Sequence, residues 1–218
     1  MSIVNEMSPP PGEIPGLVVR AAAGDRVAIA ELLERYRSRL RRMVALRLDP
    51  RLQGRVDASD VIQEGYLAAM RRLDEYIRDP SVPFYIWLRF LVGQQVHDHY
   101  RRHLGTPSRD VGREVSIYRG GMPGASTGAL AARLLGKQSS PSNAAVRAER
   151  KIQLQEALNR MDPLDREVLV LRHYEQMTNA HAAAALGLSQ SAASKRYARA
   201  VERLREILAA LPDEVSEP

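Results

Sequence analysis

Residues 178–203, which read TNAHAAAALGLSQSAASKRYARAVER, constrain the fold more than any other part of the chain. They place a helix of small residues, a glycine and a basic amphipathic helix in direct succession, which is the order of a helix-turn-helix. Gly187 stands where the turn needs a positive φ angle, and Ser189 stands where the second helix needs an N-cap. Ala183 is the small residue expected where the two helices touch, and Ala193 makes an apolar contact on the second helix, where Ile or Val is more usual. The segment therefore predicts a DNA-binding helix-turn-helix.

The second helix of this segment has two distinct faces. Its apolar residues recur at steps of three and four and predict a packing face. They are Ala193, Tyr197, Ala200, Leu204 and Leu208. Amide, hydroxyl and basic side chains lie on another face, where they can bind base edges or phosphates in the major groove. These candidate DNA contacts are Gln190, Ser191, Ser194, Lys195 and Arg199. Arg196 is ambiguous, because it can bind a phosphate or pair with Glu167.

Almost every periodic segment elsewhere is also helical, and the alternation typical of strands is absent, so the pattern predicts an all-α fold. Asp25, Asp57 and Asp162 each stand where a helix needs an N-cap, and Pro163 follows the last of them in a first helical turn. A further helix is predicted from Pro83 to about residue 103.

A glycine-rich stretch divides the chain into two parts. Residues 105–142 contain seven of the fourteen glycines and predict a long flexible linker, with one short helix at about 129–135. We therefore predict two small helical domains, at 17–104 and 143–211, the second of them the helix-turn-helix domain. Residues 1–16 are predicted to be a disordered, proline-rich lead, and residues 212–218 a tail.

The composition narrows the classes of function. The 32 lysines and arginines exceed the 26 aspartates and glutamates, and the net charge of +6 favours a polyanionic partner. The chain has no cysteine, which excludes disulfides, thiolate metal sites and cysteine nucleophiles. Arg89 interrupts the best candidate for a membrane span, and the N-terminus does not read as a signal peptide. We expect a soluble, cytoplasmic protein.

An acidic patch lies at the start of the second predicted helix, on an otherwise basic chain. Asp60, Gln63 and Glu64 fall within one turn, on a face away from Ile62 and Tyr66. Such a patch can bind basic residues of a partner. A solvated face with negative charge near a helix N-terminus would show the same pattern, so both interpretations stay open.

The helix that follows Pro83 is aromatic first and basic afterwards. Its aromatic residues are Phe84, Tyr85, Trp87 and Phe90, and its arginines are Arg89, Arg101 and Arg102. Aromatic rings stack on unpaired bases and cations hold phosphates, so the combination suits the opening of a duplex. Trp87 and Phe90 also have the spacing of core residues, and packing is the favoured interpretation for both.

The histidines of the same helix allow a different hypothesis. His97, Asp98, His99 and His103 include a His-Asp pair of the kind found in helical metal phosphohydrolases. Residues two apart on a helix diverge in direction, so His97 and His99 cannot easily chelate one ion, and residues 1–96 contain no other histidine. We therefore expect no metal, no cofactor and no enzymatic activity, and keep the hydrolase as a remote alternative.

Three segments in order carry a resemblance to a known family. DASDVIQEGYLAAMRRLDEY (57–76) is similar to a core-binding helix, PFYIWLRFLVGQQVHDHYRRH (83–103) to a promoter-melting segment, and residues 158–208 to a second, DNA-reading domain. From residue 24 to 211 the chain resembles the extracytoplasmic-function group of the sigma-70 family, the small two-domain sigma factors of bacterial RNA polymerase. Within that group, LGLSQSAASKRY resembles a subgroup found in planctomycete bacteria.

The resemblance implies a role for each segment, with residues 17–104 as sigma region 2 and residues 143–211 as sigma region 4. It implies docking on the β′ clamp helices of core RNA polymerase, followed by promoter recognition, melting and transcription initiation. The implied polymerase-binding residues are Asp57, Asp60, Gln63 and Glu64. Those implied to contact the minus-ten element are Trp87, Gln94, Gln95, His97, His99, Arg101 and Arg102. Those implied to contact the minus-35 element are Gln190, Ser191, Ser194, Lys195, Arg196 and Arg199.

The resemblance also implies that the loop at residues 79–83 helps to hold a flipped base. It leaves open whether an anti-sigma factor is a further partner. The runner-up function is a stand-alone helix-turn-helix regulator of transcription. Against it, the first domain has neither the α/β pattern of a receiver nor the signature of a ligand pocket.

Overall fold

The computed structural model describes residues 13–48, 52, 54–104, 124–135 and 144–210. Within these ranges the regular structure is entirely helical, so the prediction of an all-α fold is confirmed. The helices are α1 (Glu13–Ala22), α2 (Arg26–Arg47), α3 (Ala58–Arg78), α4 (Phe84–Leu104), α5 (Thr127–Leu134), α6 (Ala144–Asn159), α7 (Pro163–Leu169), α8 (Asn179–Leu186) and α9 (Gln190–Ala209). A π-helical turn, Val170–Tyr174, continues directly from α7.

The helices begin where their N-caps predict. The carboxylates of Asp25, Asp57 and Asp162 accept hydrogen bonds from backbone N–H groups of α2, α3 and α7, and the hydroxyl of Ser189 does the same for α9. These bonds satisfy donors that the first helical turn leaves without an intrahelical partner. The backbone bond from Ala28 is the main reason why the pKa of Asp25 lies below its ordinary value.

Helices α1 to α4 form the first domain, in which α3 and α4 lie in backbone contact. A Cβ atom on Gly65 of α3 would stand 2.5 Å from Cγ2 and 2.9 Å from Cα of Val92 on α4. Only glycine allows this approach. Helix α1 corrects one expectation, because it begins at Glu13, so residues 13–16 of the predicted disordered lead are helical. Residues 1–12 of that lead lie outside the described residues.

Helices α6 to α9 form the second domain, which ends in the predicted helix-turn-helix. Gly187 has a φ of +64°, and Ala183 and Ala193 are buried where α8 meets α9. The packing face of α9 differs from the prediction at its end, since Ile207 is 8% exposed and Leu208 is 40% exposed. A step of seven residues is close to two helical turns, so Ile207 rather than its neighbour continues the line through Ala200.

Helix α5 lies inside the predicted linker, near the short helix expected at about 129–135. Its N-cap is Ser126, whose N–H donates to the carbonyl oxygen of Leu46 at the end of α2 (2.8 Å). Leu130 and Ala131 are buried. Residues 105–123 and 136–142 of the predicted linker lie outside the described residues, as do residues 143 and 211 at the two ends of the predicted second domain and the tail 212–218.

Candidate nucleic-acid and partner interfaces

The acidic face of α3, which we call the docking face, consists of Asp57, Asp60, Gln63 and Glu64. Asp57 caps the helix, and both Asp60 and Gln63 are exposed. Glu64 is different, because its carboxylate lies 2.9 Å from Nη2 of Arg102 and 3.2 Å from Nε2 of His99, both on α4. The exposure of Asp60 and Gln63 makes these two side chains available to a partner, whereas Glu64 already has partners within the chain.

An exposed apolar residue adjoins the docking face and was missed at the sequence level. Leu67 of α3 is 59% exposed and lines an open groove between α3 and α4, together with Glu64, Arg71 and Gln95. The sequence carries a signal for this exposed position. Leu67 follows Glu64 by three residues, and that step keeps both side chains on one side of a helix.

The basic half of α4 presents the groups that were expected to face a DNA strand, with one exception. Arg101 and Arg102 are exposed, and Gln94, Gln95 and His97 are half-buried. His99 is only 7% exposed, and its ring stacks on that of His103 at a centroid distance of 5.9 Å. The expectation that His99 faces a strand does not fit this position, because Glu64 and His103 cover the imidazole.

Three aromatic rings pack at the junction of α3 and α4. The ring of Trp87 lies 4.8 Å from that of Tyr76 and 5.5 Å from that of Phe84, between centroids. Trp87 is half-buried, so it contributes to packing and keeps part of its surface in solvent. The hydroxyl of Tyr76 donates to the carbonyl oxygen of Val82 at 2.9 Å. The aromatic cluster thereby anchors the loop at residues 79–83.

Helix α9 carries the expected polar face, which we call the recognition face. Gln190, Ser191, Ser194, Lys195 and Arg199 are all exposed. Within the part of the chain that the structure describes, neither Lys195 nor Arg199 is paired with a carboxylate. The face therefore offers an amide, two hydroxyls and two cations to a groove.

Arg196 is tied down inside the second domain. Its Nη1 lies 2.6 Å from Oδ1 of Asp165 and 3.3 Å from Oδ1 of Asp162, at the start of α7. The partner suggested by the sequence, Glu167, is therefore wrong for this arginine. Glu167 is buried and binds two other arginines instead. Arg196 positions α9 against α7 and is half-buried at that contact.

Those two arginines belong to a group that we call the arginine–glutamate cluster, formed by Arg47, Arg89, Glu167 and Glu175. Arg89 Nε and Arg47 Nη1 each lie 2.6 Å from a carboxylate oxygen of Glu175, and both guanidinium groups also contact Glu167. The four side chains are at most 2% exposed. Burial alone would raise the pKa of Glu175, but the positive charges of Arg47 and Arg89 outweigh it and lower the pKa to about 2.

Sequence reasoning did not find this cluster, although a signal for it exists. Arg47 and Arg89 interrupt apolar helical stretches, and a charge in such a position is rarely buried without a partner. The partners lie far along the chain, since Glu175 comes 128 positions after Arg47, and no periodicity links residues at that distance.

Comparison with known proteins identifies two family segments. Residues 32–105 match the model of sigma-70 region 2, and residues 151–204 match that of sigma-70 region 4. The chain is 30% identical over 195 residues to the RNA polymerase sigma factor CnrH of Cupriavidus metallidurans, covering 88% of this chain and 92% of the relative. This chain belongs to the extracytoplasmic-function group of the sigma-70 family.

Other relatives agree with this assignment. The sigma factor is 29% identical over 197 residues to the ECF RNA polymerase sigma factor SigD of Mycobacterium tuberculosis, covering 90% of this chain and 84% of the relative. The solved structure of CnrH in complex with the cytosolic domain of CnrY is similar with a TM-score of 0.53 and 25% identity, covering 90% of this chain and 97% of that chain. The protein is thus a sigma factor that directs transcription initiation, a function without enzymatic chemistry.

The family segments give the surfaces their context. The docking face and the basic half of α4 lie in region 2, and the recognition face lies in region 4. Helix α5 lies between the two matched ranges. Among the described residues, no group of three or more His, Asp or Glu is placed to hold a metal ion. None of the helices in the described ranges has the length and apolar composition that crossing a bilayer requires.

Proposed function

We propose that each of three surfaces of this sigma factor binds a different partner. The docking face binds the β′ clamp helices of core RNA polymerase, the basic half of α4 contacts the minus-ten element, and the recognition face contacts the minus-35 element. The observation that carries this proposal is the arrangement of α3 and α4. Asp60 and Gln63 are exposed on one helix, and Arg101 and Arg102 are exposed on the helix in backbone contact with it.

The docking face supplies negative charge and hydrogen-bonding groups for a basic partner. Asp60 and Gln63 are the exposed groups, and the apolar side chain of Leu67 adds surface that a partner can bury. Interfaces commonly combine an apolar centre with a polar rim, and charge complementarity contributes specificity as well as association rate. We therefore add Leu67 to the residues that bind polymerase.

Asp60→Arg tests the docking face. Reversing a charge that faces basic residues loses an attraction and adds a repulsion, so polymerase binding and transcription should fall together. Asp74→Arg is the matched control, because Asp74 is an exposed aspartate near the other end of α3. The proposal requires a loss with Asp60→Arg only, at unchanged helix content. Equal polymerase affinity in the two variants would remove the docking face from the mechanism.

Glu64→Arg is a weaker test than Asp60→Arg. The reversal would place a second cation beside Arg102 and next to the imidazole of His99, and the repulsion within region 2 would disturb the contact of α3 with α4. A loss of polymerase binding could then follow from a shifted α4. Asp60 has no such complication, since none of the described cations lies within ion-pair distance of its carboxylate.

The region-2 surface that contacts DNA combines cations with one partly exposed ring. Arg101 and Arg102 bind strand phosphates, and Gln94, Gln95 and His97 lie one to two turns earlier on the same helix. Cations and aromatic faces together hold a single strand with little dependence on its sequence. We assign the binding of a flipped base to the loop at residues 79–83. Trp87 packs against the ring of Tyr76, and the hydroxyl of Tyr76 in turn holds the loop at Val82.

The region-4 surface reads the major groove through the N-terminal half of α9. Gln190 suits an adenine edge and Lys195 a guanine edge, while Ser191 and Ser194 bind either a base or a phosphate. Arg199 lies one turn further from the helix start and is assigned to a phosphate. Arg196 serves the fold through Asp165 and is removed from the DNA-contacting set.

Two finer assignments rest on similarity. CnrH was solved in complex with the cytosolic domain of CnrY, which supports a protein partner for this chain besides polymerase. We assign that role to an anti-sigma factor in the cytoplasm. If the assignment is right, such a partner should compete with core polymerase for binding to this sigma factor. The motif LGLSQSAASKRY (186–197) supports placement in a planctomycete-type subgroup, which a tree built on region 4 sequences tests.

A further inference from the structure

The contact between the two helices of the helix-turn-helix is built largely from alanines. On α9, Ala193 and Ala200 are fully buried, and the buried residues of α8 include Ala182, Ala183 and Ala185. Packed helices resist rotation about their axes through side chains that interdigitate. Methyl groups allow a close approach but interdigitate little. This contact therefore holds α9 close to α8 and restrains its rotation only weakly.

The recognition face is sensitive to that rotation. At about 5–6 Å from the helix axis, a rotation of about 15° moves an atom by about 1.5 Å. Hydrogen bonds to a base edge tolerate a spread of only about 0.5 Å in donor–acceptor distance. A residue that fixes the rotation of α9 can therefore contribute to sequence discrimination without touching DNA.

Two polar contacts hold α9 on opposite sides of the alanine contact. At about 100° per residue, Arg196 and Tyr197 lie about 50° to either side of its centre. Arg196 is paired with Asp165 of α7. On the other side, the hydroxyl of Tyr197 lies 2.9 Å from Nε2 of His173, which belongs to the π-helical turn. The two contacts together oppose rotation in both directions.

The contact at Tyr197 involves more than one hydrogen bond. The rings of His173 and Tyr197 lie 5.5 Å apart between centroids, and the guanidinium of Arg172 lies 5.3 Å from the centre of the Tyr197 ring. Arg172 is itself held, because its Nη1 donates to the carbonyl oxygen of Met177 at 2.7 Å. Two neighbouring side chains of the π-helical turn therefore hold Tyr197.

The protonation state of His173 suits this bond. Partial burial, and after it the positive charge of Arg172, lower the pKa of His173 below its ordinary value. The imidazole is therefore neutral at neutral pH. A neutral imidazole and a hydroxyl each offer a donor and an acceptor, so the bond forms in either tautomer of the histidine.

A second bond holds the same side of α9 at its N-terminal end. Nδ2 of Asn179 donates to the carbonyl oxygen of Gln190 at 2.9 Å. Gln190 and Tyr197 are seven residues apart, so they lie within about 20° of one line along the helix. The carbonyl oxygen lies closer to the helix axis than the hydroxyl of Tyr197 does. The bond to His173 therefore opposes rotation with the longer lever.

We propose that His173 is a positioning residue for minus-35 recognition, because its bond to Tyr197 fixes the rotation of α9 about its axis and thereby sharpens sequence discrimination. The DNA step of this proposal rests on the proposed contact of the recognition face with the minus-35 element. The restraint on α9 in the free protein does not depend on that contact. Neither His173 nor Tyr197 is assigned a contact with DNA.

Duplex binding by the full chain tests the DNA step. A pool of duplexes with a randomised segment is enriched on the parent protein, and discrimination is the ratio of the affinities for the most enriched duplex and for the unselected pool. Tyr197→Phe and His173→Leu each delete the bond, whereas His173→Gln keeps a polar group near the position of Nε2. We expect each deletion to lower discrimination about three- to tenfold, the range that one hydrogen bond supplies. His173→Gln should restore most of it.

The double variant and a matched control separate this bond from other effects. Tyr197→Phe and His173→Leu together should cost about as much as either alone, because they remove the same bond. Tyr174→Phe is the control, since it removes a tyrosine hydroxyl from the next position, where the ring lies 6.0 Å from the Arg133 guanidinium. It should leave discrimination at the parental level.

The restraint on α9 is measured without DNA. The chain has no cysteine, so Ala198→Cys at an exposed position of α9 gives a single site for a spin label. Electron paramagnetic resonance of the free protein then reports the mobility of the label. We expect a more mobile label when His173→Leu is present, and parental mobility with His173→Gln.

The two steps fail separately. Parental label mobility with His173→Leu, at parental helix content, would show that the bond does not restrain α9. A more mobile label with parental discrimination would show that the restraint has no part in reading sequence. Discrimination that falls with His173→Leu and not with Tyr197→Phe would make His173 a DNA contact instead. If the parent enriches no duplex, the proposed minus-35 contact fails, and the label alone decides whether the bond restrains α9.

Discussion

The guanidinium of Arg102 lies 2.9 Å from the carboxylate of Glu64, so a group assigned to polymerase docking neutralises one assigned to DNA. Glu64 also lies 3.2 Å from Nε2 of His99. The two proposed surfaces of region 2 therefore share charges in the free protein. A partner that takes Glu64 would leave the positive charge of Arg102 free for a phosphate.

Glu64→Gln should strengthen the binding of single-stranded DNA by the free sigma factor. Loss of the carboxylate removes repulsion of phosphates and frees Arg102. Since exposed ion pairs are worth about 0.2–1 kcal/mol, we expect a gain of about 1.4- to fivefold. Fluorescence anisotropy with a labelled oligonucleotide at two salt concentrations measures it. Glu75→Gln is the control, because Glu75 pairs with Arg72 on an exposed part of α3. Equal gains in the two variants would mean that only net charge matters.

Lys195→Ala and Arg199→Ala should have different effects on DNA binding, the first on sequence discrimination and the second on affinity for all sequences. If Lys195 binds a base edge, its loss costs about 1–3 kcal/mol of discrimination between promoter sequences. If Arg199 binds a phosphate, its loss weakens all sequences alike and lowers the salt slope by about one. Binding assays with parent and altered minus-35 elements over a salt series separate the two. A change of sequence preference with Arg199→Ala alone would reverse the assignments.

Acid should weaken the arginine–glutamate cluster through Glu175. Its pKa falls from an ordinary 4.5 to about 2 in the folded protein, so the stability it contributes is complete above about pH 4.5. That contribution is lost progressively as the pH falls from 4.5 towards 2. Urea unfolding of the parent and of Glu175→Gln at a series of pH values should show a difference that shrinks over this interval. A difference that stays constant down to pH 3 would contradict the lowered pKa.

Gly65→Ala should destabilise region 2, because the new methyl group would meet Val92 at 2.5 Å and its Cα at 2.9 Å. The forced separation of α3 and α4 costs about 1–3 kcal/mol. Gly16→Ala is the matched control in α1, where a Cβ meets nothing within 4 Å. There the helix propensity of alanine should add about 0.5–1 kcal/mol to the free energy of unfolding. Urea unfolding of both variants gives the comparison, and equal stability in the two would show that α3 can move away from Val92.

The sequence predicted what depends on nearby residues. Asp25, Asp57, Asp162 and Ser189 cap their helices because a cap binds N–H groups two or three positions away. Gly187 takes the left-handed conformation that its turn requires. The exposure of the recognition face follows from helical periodicity in the same way.

What the sequence did not predict depends on distant residues. The pairing of Glu64 with Arg102 joins two helices, and that of Arg47 with Glu175 joins two regions. Helical periodicity relates residues within one helix, so it predicts neither pair. The sequence left two interpretations open for Arg196, a phosphate or Glu167. In the structure it pairs with Asp165. Asp165 and Glu167 both lie on α7, and only packing decides between them. The choice of Ile207 over Leu208 as the buried residue likewise depends on the angle at which α9 meets the domain.

The π-helical turn at Val170–Tyr174 sets the angular phase of the two glutamates. In an unbroken α-helix, residues eight apart differ by about 80° around the axis, at about 100° per residue. The wider turn, closed by the N–H of Glu175 on the carbonyl oxygen of Val170, absorbs about one residue of rotation. Glu167 and Glu175 then fall within about 20° of one line. One surplus residue in the backbone thus lets two carboxylates on separate turns face the same pair of arginines.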